Sequence, residues 1–442
     1  MSVVLTNPKI YDMEIRILKN LKGKFVNTTD ITKRKELVTN VIKTISYYPD
    51  VNIDDIINDI ADFRPITHLL ESDTTEDIVI NNTSNIFVYD AIDGYKQMDY
   101  KIESFEELEL LVQKLNLYAT NDAANGNIRD VHLPDGSRVN IISSPMGYNI
   151  TIRKFKHMAL SILDLINMGE LDYQIAARLW VYVDGFRVRP ANILIGGLPA
   201  AGKTTLLNAM FSFFRPEERV ITIEETYELD TKTQQNCARL ETSQDMPMLE
   251  LVKNSLRMRP DIIVVGEVRG EEAKDMITAM NIGKIVLGTI HSSTTRDVVN
   301  RLQNESMNVP MELIPVVDVI VMLGHVYIDK KPLRKIVQIS EISGIETQVL
   351  LSDLYKYDYR TNHSAPILPS VTYRDTISTV LGIAPSDILA EEKVRAHILY
   401  AMNKMGKRDI ISINNIVRDY YYKPKETLNS LGLTDIDPVI TI

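Results

Sequence analysis

Between about residues 192 and 325, short apolar runs alternate with stretches of amphipathic spacing. Ile193-Leu194-Ile195 precedes apolar positions 206, 207, 210, 211 and 214, and Val220-Ile221-Thr222-Ile223 precedes an amphipathic stretch around 248–258. Ile262-Ile263-Val264-Val265 comes before Ala273, Met276, Ile277 and Met280, and Ile285-Val286-Leu287 before Val298, Val299 and Leu302. Brief apolar runs without polar alternation read as strands buried on both faces, and the i, i+3, i+4 spacing reads as helices. Strand and helix in alternation predict a parallel sheet covered on both sides, the doubly wound α/β class.

The pattern differs on either side of this stretch. Up to about residue 65 it reads as polar helices, such as Asp54-Asp55-Ile56-Ile57-Asn58-Asp59-Ile60. From 66 to about 155 an α+β module is expected: a hairpin of 77–80 with 86–89, a helix over 106–117, and a turn at 134–137 before a strand over 138–142. Two linking helices follow, the first capped by Ser161. Beyond 331 a strand over 334–342 leads to a helical tail, in which a helix over 391–405 stops at Gly406. The expected organisation is therefore a helical segment (1–65), an α+β module (66–160), linker helices (161–191), an α/β core (192–330) and a C-terminal strand with helices (331–442).

Composition narrows the function class. With 45% hydrophobic and 24% charged residues, and only 19 glycines and 18 prolines in 442 positions, the chain is neither fibrous nor broadly disordered. The net charge of −10 argues against nucleic-acid binding driven by bulk charge. Cys237, the single cysteine, can form no internal disulfide and no structural zinc site, which fits a reducing compartment. The N-terminal apolar stretch carries charges, and the apolar run 314–323 is short and interrupted by Asp318. Neither is expected to cross a bilayer, so membrane association is expected to come through a partner, at the cytoplasmic face.

Gly197-Leu198-Pro199-Ala200-Ala201-Gly202-Lys203-Thr204 matches G-x-x-x-x-G-K-[ST] between a predicted strand and a predicted helix. Backbone N–H groups of such a loop surround β- and γ-phosphates, its lysine supplies a point charge, and its threonine hydroxyl faces Mg²⁺. Thr205, next along the helix start, belongs to the same cradle. In an open parallel sheet, ligands sit at the carboxyl ends of the strands. That rule selects Glu267, which follows 262–265, over Asp261, which precedes it. Glu224, Glu225 and Glu228 follow the strand 220–223, and spacing does not choose which of them activates the attacking water. His291 follows 285–287 at the same edge. The remaining histidines, at 68, 132, 157, 325, 363 and 397, show no ligand spacing. Candidate arginines for transition-state charge are Arg239, Arg257, Arg259 and Arg269 in the core, with Arg138 and Arg153 upstream. The stripe Arg153-Lys154-Phe155-Lys156 reads equally well as an interdomain contact.

Taken together, these motifs resemble the type II/IV secretion ATPase family, the motors of type IV pili, of type II and IV secretion and of the archaeal flagellum. The resemblance runs from about Leu69 onward, through Asp135-Gly136-Ser137-Arg138-Val139, Thr151-Ile152-Arg153-Lys154-Phe155, the phosphate loop, Ile223-Glu224-Glu225-Thr226-Tyr227-Glu228-Leu229, Val265-Gly266-Glu267-Val268-Arg269-Gly270 and Thr289-Ile290-His291. It implies a RecA-like ATPase core binding ATP and Mg²⁺, with Glu228 activating water and Glu267 associated with the metal. It also implies a homo-hexamer in which Arg138 and Arg153 reach the phosphates, and a polytopic membrane platform protein as partner for assembling pilin- or flagellin-like subunits. The tail ending Asp419-Tyr420-Tyr421-Tyr422-Lys423-Pro424 is similar to archaeal members. Two positions depart from the family pattern: Gly283-Lys284 stands where Gly-His is usual, and Ala200-Ala201 where Gly-Ser is common. A nucleic-acid translocase or helicase on the same core is the alternative, as is a DNA- or protein-exporting secretion ATPase; the charge gives the former no support.

Overall fold

The computed structural model describes residues 8–439, apart from 27, 29, 46–47, 50, 73, 91–93, 120–125, 155–159, 244, 305, 329–330, 361–362 and 365–366. Two compact units, residues 1–157 and 158–442, account for the chain. Phe155 and Lys156 of the basic stripe lie outside the described residues, as does His157.

The first unit begins with helices α1 (Pro8–Leu21), α2 (Ile31–Ile42), α3 (Ile53–Ala61) and α4 (Thr67–Glu71). Strands β1 (Thr75–Ile80), β2 (Ile86–Asp90) and β3 (Gly94–Gln97) follow, then α5 (Phe105–Asn116) and strands β4 (Ile128–His132), β5 (Arg138–Ser144) and β6 (Gly147–Arg153). The strands form an antiparallel sheet in the order β3-β2-β1-β6-β5-β4. The hairpin, the helix and the turn-strand expected here are present. Met13, Ile17 and Leu21 of α1 and Ile56 and Ile60 of α3 share one core with Ile78, Ile80, Leu111 and Ile150. The expected division at 65/66 thus falls inside a single unit, because the helices bury their apolar stripes on α5 and the sheet.

The second unit starts with α6 (Ile162–Asn167) and α7 (Tyr173–Asp184). As expected, Ser161 caps α6, its hydroxyl accepting from the Asp164 N–H while the Asp164 carboxylate accepts from the Ser161 N–H. Next come β7 (Ile193–Gly197), α8 (Lys203–Met210), β8 (Val220–Glu224), β9 (Cys237–Glu241), α9 (Met248–Ser255), β10 (Ile262–Val268), α10 (Glu272–Asn281), β11 (Ile285–His291) and α11 (Thr295–Gln303). The chain continues through β12 (Val319–Ile328), β13 (Lys331–Ile345), β14 (Val349–Asp358) and β15 (His363–Ser364), and ends in α12 (Thr372–Leu381), α13 (Pro385–Lys404), α14 (Ile410–Tyr422) and α15 (Pro424–Ser430).

One sheet of nine strands runs β15-β14-β13-β12-β7-β11-β10-β8-β9. The strands from β12 to β9 in this order are parallel, and β13, β14 and β15 extend the sheet antiparallel. Consecutive residues of the central strands enter opposite cores. Ile193, Ile195, Ile262 and Val264 belong to one core, and Leu194, Ile263 and Val265 to the other. This burial on both faces is why these strands lack polar alternation, and the doubly wound α/β class follows. The expected division at 330/331 runs through this sheet, since β13 pairs with β12 along its length. The run 314–323, too short for a bilayer, supplies the first half of β12. Among the described residues no helix is long and apolar enough to cross a membrane.

Candidate functional site

β7 delivers the phosphate loop at its carboxyl end. Gly197 is paired with His291 of β11 on one side and with Leu323 of β12 on the other. Ala200 adopts φ 60° and Gly202 φ 94°, so the loop doubles back before α8 starts at Lys203. The left-handed geometry suits Gly202 and strains Ala200, whose Cβ meets the following carbonyl oxygen. The first N–H groups of α8 have no partner within the helix and present positive dipole ends to the loop's mouth. Thr204 and Thr205 sit half-buried in that first turn.

Lys203 is buried to 8% exposure and folds over its own loop. Its Nζ donates to the carbonyl of Gly197 at 3.1 Å and to that of Leu198 at 3.4 Å, and approaches His291 Nδ1 at 3.3 Å. Glu267 Oε1 lies 4.0 Å from the ammonium. Burial holds the lysine below its ordinary pKa, and the Glu267 carboxylate opposes that shift. His291 Nε2 is 2.7 Å from Glu267 Oε1. Burial and the Lys203 charge push the imidazole below its ordinary value, so the ring is neutral at pH 7. Lys203 Nζ donates to Nδ1 in the tautomer that carries the ring proton on Nε2, the nitrogen beside Glu267.

Glu267 follows Gly266 within the irregular end of β10, where the pairing with β11 skips between Val265 and Val268. The strand is longer than the apolar run 262–265 and includes this carboxylate. Thr289 Oγ1 donates to the Gly266 carbonyl at 2.6 Å, which ties the irregular turn to β11. Asp261 accepts the Arg219 N–H at 2.8 Å at the opposite, amino edge of the sheet, as the strand-end rule anticipated.

Within the acidic box the three glutamates do different things. Glu224, 2% exposed, is pushed up to about 7 by burial, and its Oε1 accepts the N–H groups of Glu228 at 2.8 Å and Leu229 at 2.9 Å. Glu225 accepts from Arg269 Nη1 at 3.0 Å, and Arg269 also donates to Glu267. Glu228 is exposed on the loop that Glu224 anchors. Arg239 packs over the Tyr227 ring at 4.2 Å and donates to the Leu229 carbonyl, bracing the same loop. Asn208 of α8 accepts the Asp230 N–H at 3.0 Å, which links the phosphate-loop helix to the acidic box.

The structure thus brings Lys203, Glu267 and His291 together at one sheet edge, beside Thr204 and Thr205. Arg257 instead donates to Asn254, and Arg259 adopts φ 55° after α9. Arg138 and Arg153 face each other across β5 and β6 in the first unit, Arg153 donating to Asp77 at 3.3 Å. Lys284 lies at the amino end of β11, its Nζ donating to the Pro260 carbonyl, so this departure from the family pattern falls at the end of the strand opposite His291. Sequence reasoning missed the anchoring role of Glu224, because only the fold shows its side chain turning inward while Glu225 and Glu228 face solvent.

Mg²⁺ takes oxygen ligands. A hydroxyl at the first turn of α8 and a carboxylate 4.0 Å from Lys203 Nζ supply them, so Thr204 and Glu267 fit a metal held between loop and strand. Among the described residues no cluster of histidine, cysteine, aspartate and glutamate forms a dedicated metal cage.

Residues 59–326 match the family model described as "Type II/IV secretion system protein". An uncharacterized protein of Methanocaldococcus jannaschii is 31% identical over 376 residues, covering 80% of this chain and 66% of that protein. Another from the same organism is 38% identical over 227 residues, 48% of this chain. This chain spans 66% and 31% of these relatives' lengths. The type IV secretion system protein VirB11 of Bartonella henselae is 29% identical over 272 residues, 52% of this chain and 76% of that one. A crystal structure of the pilus retraction motor PilT with bound ADP aligns with TM-score 0.47 at 16% identity, over 85% of this chain and 97% of that one. With its phosphate loop, acidic box and histidine strand in one frame under a family model that covers more than half its residues, the chain belongs to the type II/IV secretion system protein family.

Proposed function

We propose that this protein is an ATP hydrolase that works as a homo-hexameric motor at the cytoplasmic face of a membrane, coupling hydrolysis to assembly or export of pilin-like filament subunits through a polytopic platform protein. The observation that carries the hydrolase reading is the convergence of Lys203, Glu267 and His291 on the mouth of the phosphate loop. The loop N–H groups and Lys203 bind the β- and γ-phosphates, and Thr204 and Glu267 hold Mg²⁺, which when bound supplies charge neutralisation at the phosphates. Glu228 orients a water and takes its proton as the oxygen bonds to the γ-phosphorus, with ADP as leaving group. His291 accepts from Lys203 through Nδ1 and lies beside Glu267, and so holds these two groups in register.

Phosphate release by the purified protein tests this reading. Lys203→Ala is expected to abolish nucleotide binding, and Glu228→Gln to retain ATP binding while losing at least about a hundredfold in rate. Wild-type turnover in Glu228→Gln refutes the assignment of the base. Mass measurement with ATP tests the hexamer, and a strict monomer counts against the motor.

Export of protein or DNA is a second reading, favoured by similarity to the Bartonella type IV secretion protein and to a putative conjugal transfer protein of Mycobacterium tuberculosis, 29% identical over 252 residues. Strong stimulation of the ATPase by single-stranded DNA would select it over filament assembly. The net charge of −10 favours the filament.

A further inference from the structure

Between 393 and 411 the chain carries Lys393, Arg395, Lys404, Lys407 and Arg408 against one acid, Asp409, in a protein whose net charge is −10. Arg395 is buried with its carboxylates, and the Asp409 side chain turns back to accept the Ser412 N–H at the start of α14. The other four cations are exposed, as is every residue from Lys404 to Asp409. Helical spacing places Lys393, His397, Tyr400 and Lys404 in one exposed stripe of α13 that ends at the turn into α14.

Apolar side chains stand among these charges. Met405 is 48% and Ile411 65% exposed, one on either side of Lys407 and Arg408 in the chain, and Lys404 Nζ lies over the Tyr400 ring at 4.8 Å. The turn itself is tightly built. Gly406 takes φ 74° and its N–H donates to the Asn403 carbonyl at 3.1 Å, while the Lys407 N–H donates to that of Met402 at 3.1 Å. Asn403 exchanges hydrogen bonds with Asn167 of α6 and donates to the Tyr173 hydroxyl of α7 at 2.6 Å, which pins the base of the corner to two helices. A Cβ on Gly406 would meet nothing within 4 Å, so the tip stands clear of the protein behind it.

A projecting helix corner offers no groove to a peptide, and the partner that meets it is a broad surface of opposite charge. The negative surface potential of acidic lipids attracts lysine and arginine, and apolar side chains set between such cations reach the boundary of the acyl chains. We propose that the α13–α14 corner docks on an acidic phospholipid bilayer, with Lys404, Lys407 and Arg408 on headgroup phosphates and Met405 and Ile411 inserted between the headgroups. This assignment rests on the membrane-face reading above, and adds a direct lipid contact to the one made through a platform protein.

Sedimentation of the full chain with vesicles of phosphatidylcholine, and with vesicles that also contain phosphatidylglycerol, tests it. The protein is expected on the acidic vesicles alone, and to leave them as salt is raised. Lys407→Ala combined with Arg408→Ala is expected to weaken partition about thirtyfold. Ile411→Ser, which keeps the charge, is expected to weaken it about tenfold. Both variants should keep the wild-type rate of ATP hydrolysis, which also shows that they fold. Wild-type partition of the double variant overturns the corner, as does equal binding to neutral vesicles. Binding of soluble polyglutamate in place of acidic vesicles, lost in the double variant, would assign the corner to an acidic protein segment and overturn the bilayer. An active ATPase that ignores acidic vesicles overturns the lipid surface alone, whereas a wild-type protein that releases no phosphate refutes the hydrolase reading whatever the vesicles show.

Discussion

Glu14 has no exposed surface and lies beside the buried ion pair of Lys114 and Asp59 in the core of the first unit. Burial pushes its carboxyl up to about 8, against the pull of the Lys114 charge. A folded value above the ordinary 4.5 means the folded state holds this proton more tightly than the unfolded chain does. The stabilising contribution is complete below the unfolded value and is lost as pH rises from about 4.5 towards about 8. Glu14→Gln is therefore expected to raise stability by ~1–3 kcal/mol near pH 8 and to change it little near pH 5. Thermal melts of both proteins across that range check it, and a difference that does not vary with pH would refute it. At this scale the sequence was informative where a residue's edge of the sheet could be inferred, as for Glu267 against Asp261. It was silent where a side chain's direction decides, as for Glu224 or Glu14, which the local pattern presents as one more polar helix position.

Between α7 and β7, Gly185, Phe186 and Arg187 take φ of 48°, 50° and 63°, a left-handed turn in which only the first residue is glycine. Aromatic and cationic contacts hold it: Arg395 of α13 stacks on Phe186 at 4.8 Å, and Arg187 on Tyr422 of α14 at 4.9 Å. A Cβ on Gly185 would fall 2.1 Å from the Pro190 nitrogen. Gly185→Ala is expected to cost more than ~2 kcal/mol, read by denaturant unfolding; a loss below about half of that would mean the turn rearranges cheaply. Elements with a strong period were legible, including β7, β8, β10 and β11. β9 was not, because Cys237-Ala238-Arg239-Leu240-Glu241 is an edge strand, half-buried throughout, and shows neither alternation nor an apolar run. The long helix α13 begins at Pro385, ahead of the expected 391, since proline suits a first helical turn and Asp387 accepts the Ala384 N–H.

Across the second unit, the C-terminal helices are joined to the α/β core by buried charge. Arg395 donates to Asp184 of α7 at 2.7 Å and to Glu391 at 3.2 Å, and Tyr420 of α14 donates to Glu391 at 2.8 Å. Trp180 Nε1 donates to the Tyr421 hydroxyl at 2.9 Å, so the tyrosine run at the end of α14 packs onto α7. Removing one partner from such a set leaves uncompensated charge in a low-dielectric interior. Arg395→Ala is expected to destabilise the protein by ~3–5 kcal/mol, measured by equilibrium unfolding. A cost under about 1 kcal/mol would mean that the helices dock through apolar contact alone.

The sequence by itself determined the class of the core and the composition of its phosphate loop. Both are local properties: a strand buried on two faces must be apolar throughout, and a loop that cradles phosphate needs its glycines, lysine and threonine at fixed spacing. Only the tertiary structure decided which glutamate turns inward to hold the acidic box, that the first helices share a core with the upstream sheet, and that β13 pairs along β12 to extend the sheet. Each of these depends on residues far apart in the chain meeting across a sheet, and sheet order leaves no trace in local periodicity.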